Sequence, residues 1–144
     1  MLTMNLDTIS LTEAVYQLST QQQLFVLERL RKLNLNEYQA RTLTYIASHN
    51  GTIQKELAGY LGKQTATVTN LLKGLETKGY ITRKIPTENE RQKQLYLTMP
   101  GESIVRQIQP IFQELELQMQ QQLSVEQRAN LAAILQQLNQ SFGK

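Results

Sequence analysis

Between Lys63 and Gly79 the chain reads KQTATVTNLLKGLETKG, and the residues able to recognise a partner crowd its first half. Thr65, Ala66, Thr67, Thr69 and Asn70 offer short hydroxyl, methyl and amide groups, the kind that reach base edges in a DNA major groove without steric bulk. Most of them are weak helix formers, and a surface chosen for helicity would carry Ala, Glu and Lys instead. Val68, Leu71, Leu72 and Leu75 recur at three- and four-residue spacing and predict a buried stripe behind that polar face. Asn70 can pair with adenine, and the methyls of Thr65, Ala66 and Thr67 can touch thymine. Lys63, Gln64 and Lys73 suit phosphates, which orient a protein on the duplex but carry no sequence information. An ordinary solvated helix face is the alternative reading of the same residues.

The neighbouring elements bear on that choice. Thr52 to Leu61 (TIQKELAGYL) is amphipathic and ends at Gly62, so only Gly62, Lys63 and Gln64 connect it to the next helix. Two short helices joined by a Gly-containing turn make a helix-turn-helix, in which the second helix reads the groove and the first braces it. Leu57, Ala58 and Leu61 are spaced to pack on Val68 and Leu72. Gly79 closes the reading helix in the left-handed conformation. Tyr80 to Ile85 and Gln94 to Thr98 then alternate apolar and polar residues as half-buried strands do, with the polar PTENERQK between them. The expectation is a β-hairpin with a charged tip, a wing, to which Ile53 adds a brief third strand.

The runs KELAGYLG, TATVTNLLKGLETKGYITRK and NERQKQLYLT, followed by Gly101, resemble the winged-helix core of the MarR family of bacterial transcriptional regulators over roughly residues 36 to 101. The resemblance implies a winged helix-turn-helix DNA-binding domain at 36–98, with helical regions at 1–35 and 99–144 forming a dimerisation domain. It implies that Arg91 enters the minor groove from the wing tip while Lys84 and Lys93 hold the backbone. Arg83 fits a structural ion pair within the wing as well as a DNA contact. Two positions depart from the family pattern: Asn89 stands where the wing-tip motif usually has Asp, and Gln64 stands where the reading helix usually begins with Ser, leaving Thr65 to cap it. The family also implies a small-molecule effector between the dimer helices and the winged-helix lobe. Tyr16, Tyr38 and Tyr45 fit either that pocket or core packing with a hydroxyl at the edge.

Charge supports the placement. The 144 residues carry a net charge of only +3, but residues 55 to 93 hold eight Lys or Arg against four Glu, whereas the remainder holds seven basic and eight acidic residues. With no cysteine and a single histidine, His49, thiolate chemistry is excluded and a tetrahedral zinc site lacks its ligands. His49 is placed as a surface residue or a dipole partner at a helix end. No Gly-rich phosphate loop or paired acidic motif assigns a catalytic centre or a cofactor. No long apolar run or cleavable leader is present, so a cytoplasmic location without membrane insertion is expected.

The flanks predict helices. SLTE at Ser10 to Glu13 has the spacing of a capping box and opens a helix to about residue 33, with STQQQ at 19–23 interrupting or solvating it. Asn36 caps a helix to Ser48 whose inner face is Tyr38, Ala40, Leu43, Ile46 and Ala47. Thr98 caps a long helix that meets Pro110, where a kink is expected, and Ser124 with Gln127 opens the last helix. These flanks carry more apolar residues than one small domain needs. A two-fold homodimer would cover them and set two reading helices about one DNA turn apart, roughly 34 to 36 Å, on a palindromic operator. An intramolecular helical layer is the alternative. The chain thus reads as a mainly α protein with a small β-wing, and as a sequence-specific double-stranded DNA-binding regulator, most simply a repressor. A winged-helix module that binds protein instead is the second reading.

Overall fold

The computed structural model describes residues 10–85 and 92–143. Ser10 opens helix α1 (Leu11–Leu30) by accepting from the Glu13 amide at 3.2 Å. The reciprocal half of the expected box is not made, because the Glu13 carboxylate accepts from Gln17 Nε2 instead. The polar run at 19–23 stays helical, and the helix ends at Leu30, short of residue 33, in a 3₁₀ turn over Arg31–Leu33 that closes on left-handed Asn34. Helix α2 (Glu37–Ser48) begins with a complete capping box between Asn36 and Gln39. Its inward face carries Ala40, Thr42, Leu43 and Ile46, and Tyr38, expected inside, stands 42% exposed.

Strand β1 (Thr52–Ile53) leads directly into α3 (Gln54–Leu61), so the amphipathic segment starts as strand and turns helical two residues later. Gly62 (φ +65°) ends α3 in the left-handed region. After the turn comes α4 (Thr65–Thr77), whose Val68, Leu72 and Leu75 are fully buried, with Leu57 buried on α3. Burying a side chain of this size is worth about 1.5–3 kcal/mol, so this stripe fixes the orientation of α4. The end of α4 is a Schellman motif: Gly79 N–H donates to Glu76 C=O at 2.9 Å and Tyr80 N–H to Leu75 C=O at 3.0 Å, with Gly79 at φ +80°.

Strands β2 (Ile81–Lys84) and β3 (Gln94–Leu97) pair antiparallel in the register Ile81↔Leu97 to Lys84↔Gln94. β1 joins the far edge of β3 through Thr52↔Leu95 and Ile53↔Gln94, giving the sheet order β1-β3-β2. Leu95 and Ile81 turn their side chains into the core. The resulting architecture is a winged helix-turn-helix with flanking helices, mainly α with a small antiparallel wing.

Helix α5 (Met99–Gln121) opens with the Gly101 N–H on Thr98 Oγ1 at 3.1 Å and continues as helix through Pro110. Helix α6 (Val125–Phe142) opens with the capping box of Ser124 and Gln127. Contacts divide the chain into two units, one ending at Ile111 and the other beginning at Phe112. In the first unit, α1 leaves Leu11, Val15, Tyr16, Leu18 and Leu24 exposed. In the second, no residue of α6 is buried, and Val125, Ile134, Leu138 and Phe142 stand open to solvent. Among the described residues no helix is long and apolar enough to cross a membrane.

Candidate nucleic-acid interface

The buried stripe of α4 leaves its opposite face free. Thr65, Ala66, Thr67, Asn70 and Lys73 are all exposed, as are Lys63 and Gln64 in the turn before the helix. Thr69 behaves differently. It is half-buried, and its hydroxyl donates to Thr65 C=O at 2.9 Å while accepting from Gln54 Nε2 at 2.7 Å. The free face is therefore narrower than the run of small polar residues suggested.

Thr65 does not cap the helix as expected. It is the first helical residue, the cap position is Gln64, and the Gln64 side chain makes no capping bond. The helix dipole puts partial positive charge at that end.

Several basic side chains have partners. Lys63 Nζ sits 4.7 Å from the centroid of the Tyr38 ring, so the half-exposed Tyr38 carries a cation of the turn. Lys84, exposed at the end of β2, lies 4.8 Å over the Tyr96 ring. Lys93 is exposed just before β3, and the Lys84↔Gln94 register puts the two lysines at adjacent strand ends. Arg83 pairs with Glu76 of α4, so the ion pair it makes runs to that helix and not within the wing. Arg91 and Asn89 lie outside the described residues. A shallow hollow of about 320 Å³ runs along the base of the wing, lined by Gln54, Lys55, Arg83, Gln92 and Lys93 among others.

The family profile and the solved structures point the same way. The MarR family sequence model matches residues 35–93. Over those residues the winged helix is similar to that of the MarR family. MepR of S. aureus, in a crystal structure of its DNA-binding conformation, is 28% identical and aligns over 93% of this chain and 99% of its own with a TM-score of 0.87. The S. aureus MepR–DNA complex gives 27% identity over 92% and 96% of the two chains with a TM-score of 0.86. A crystal structure of MarR gives 25% identity over 97% and 95% with a TM-score of 0.79. No curated protein matches. The chain accordingly has the fold of a MarR-family transcriptional regulator.

Away from the reading face, the MarR fold holds a second polar group. Arg41 Nε bonds Glu37 Oε1 at 2.9 Å, one helical turn apart. Burial pulls the Arg41 guanidinium down, but its hydrogen bonds and charge interactions with Glu37 and Tyr60 outweigh burial and hold it above its ordinary value. These three residues, with Gln23, Tyr38 and Leu61, line a hollow of about 280 Å³. Tyr45 stacks between His49 and Tyr60, with ring centroids 4.0 and 4.6 Å away. His49 ends α2, with Nδ1 3.0 Å from Tyr45 C=O. Sequence reasoning missed Gln54 and the cradle that Tyr38 makes for Lys63. Neither carries a periodic signal, since each acts across a gap in the sequence.

Proposed function

We propose that this chain is a homodimeric, sequence-specific double-stranded DNA-binding transcriptional regulator, acting as a repressor on a palindromic operator in the cytoplasm. The observation that carries the reading is the exposed polar face of α4, held outward by its own buried stripe. Thr65, Ala66, Thr67 and Asn70 meet base edges, and Lys63, Gln64 and Lys73 meet phosphates. Lys84 and Lys93 hold the backbone beside the wing, and Arg91 enters the minor groove. The solved MepR–DNA complex, whose protein aligns with nearly the whole chain, supports the same use of this fold.

The helical regions 1–35 and 99–144 serve dimerisation in this reading. Its support is the apolar surface that α1 and α6 each leave uncovered, with Leu11 78% and Phe142 90% exposed. A small-molecule effector acts by favouring one spacing of the two reading helices over another. The hollow around Tyr38, Arg41 and Tyr60 supports such a site, because Tyr38 also carries Lys63 at the reading turn.

The test is a fluorescence-anisotropy titration against duplexes selected from a random pool, repeated across salt. Binding that prefers the selected duplex and weakens steeply with salt is the expected result. Equal affinity for selected and scrambled duplexes would overturn sequence-specific regulation, and no affinity for either would leave a protein-binding winged helix.

A further inference from the structure

The first turn of α4 has no side-chain cap, although it displays the residues assigned to base recognition. A helix end held only by a three-residue exposed connector would fray, and a frayed reading helix discriminates poorly. Gln54 leaves the amides of that turn as they are, being a donor itself, but ties the first turns of α4 to the neighbouring helix. Its Nε2 donates to Thr69 Oγ1 at 2.7 Å and to Thr65 C=O at 3.2 Å, and Thr69 Oγ1 donates to the same carbonyl at 2.9 Å. Three hydrogen bonds thus form a closed triangle between the first residue of α3 and the first turns of α4. The residue before Gln54 is Ile53, which pairs with Gln94 of the wing. One short segment therefore ties the major-groove helix to the hairpin beside it.

We propose that Gln54 is a positioning residue for sequence selection: through Thr69 it fixes where Thr65 and its exposed neighbours stand relative to the wing. This rests on the DNA-binding reading above. Gln54 touches no base itself. Its amide aligns the residues that do, so its loss blurs preference while leaving phosphate attraction in place.

The experiment compares affinity for a duplex selected by the wild-type chain with affinity for a scrambled duplex of equal length. Gln54→Met keeps the side-chain length and removes the donor. We expect the selected-to-scrambled ratio to fall about fivefold or more, the yield of one well-placed hydrogen bond. The salt dependence and the thermal midpoint should stay near wild type. Thr69→Val should lower the ratio likewise, and Thr69→Ser, which keeps the hydroxyl, should preserve it. The Thr69 pair decides the matter if Gln54→Met does not fold. An unchanged ratio in Thr69→Val, equal losses on both duplexes, or a Thr69→Ser variant as poor as Thr69→Val would overturn the inference alone. A wild-type chain without duplex preference would overturn the regulator reading and this inference with it.

Discussion

Gly101→Ala puts a methyl group where two chain segments cross. A Cβ on Gly101 would lie 2.0 Å from the Tyr80 carbonyl oxygen and 3.0 Å from the carbonyl carbon. An ordinary carbon–oxygen contact is about 3.3–3.6 Å, so the backbones must part by more than about 1 Å. The same carbonyl accepts from Thr98 N–H at 3.0 Å, and Thr98 Oγ1 accepts from Gly101 N–H, so the displacement disturbs the start of α5 and the end of α4 together. Overpacking of this kind costs about 1–3 kcal/mol, and loss of one backbone hydrogen bond adds about 1 kcal/mol. The better helix propensity of Ala returns at most about 1 kcal/mol. The net loss is then about 1–3 kcal/mol, or a fall in thermal midpoint of about 3–10 °C for a chain of this size. Far-UV circular dichroism at fixed protein concentration measures it, with Gly59→Ala as the control. A Cβ at Gly59 meets nothing within 4 Å, and that variant should hold or gain up to about 1 kcal/mol. Should Gly101→Ala melt no lower than Gly59→Ala, the close approach at Tyr80 does not constrain the protein and the reasoning fails.

The Thr42 hydroxyl is fully buried and, among the described residues, has no hydrogen-bond partner, so Thr42→Val should raise stability by about 1 kcal/mol. A urea midpoint that rises at unchanged slope would bear this out, and a lower midpoint would refute it. Asn70→Ala should relax preference at one base position by about 1–3 kcal/mol in a binding-site selection. Arg91→Ala should instead weaken binding to all sequences; identical profiles for both variants would remove the division of roles. Val15→Glu on α1 and Leu138→Glu on α6 each put a charge on exposed apolar surface. Light scattering should then show a smaller assembly than wild type, and an unchanged mass would speak against pairing through those faces.

The elements that periodicity and glycine placement govern were legible in the sequence. Val68, Leu72 and Leu75 repeat at helical spacing and are buried, and Gly62 and Gly79 take the positive φ that their positions at helix ends require. The Ser124 and Gln127 pair announces its cap in four residues. What stayed hidden is the set of long polar side chains that cross between elements. Gln54 reaches Thr69 across 15 residues and Lys78 Nζ reaches Asn34 C=O across 44, and no local pattern encodes such partners. Tyr38 was misplaced for a related reason: it falls on the helical apolar face by spacing, but its phenol reaches the rim, where Lys63 covers it. The partner of Arg83, Glu76, is likewise brought beside it only by the fold.

The sheet order has a consequence for how copies of this protein meet. β3 lies in the middle, with two-residue β1 on one side and four-residue β2 on the other. The outer rim of β2 is short and holds exposed Thr82 and Lys84, so a second hairpin finds few backbone groups to join and a positive charge in its way. That edge is therefore a poor template for strand pairing with another copy of the chain.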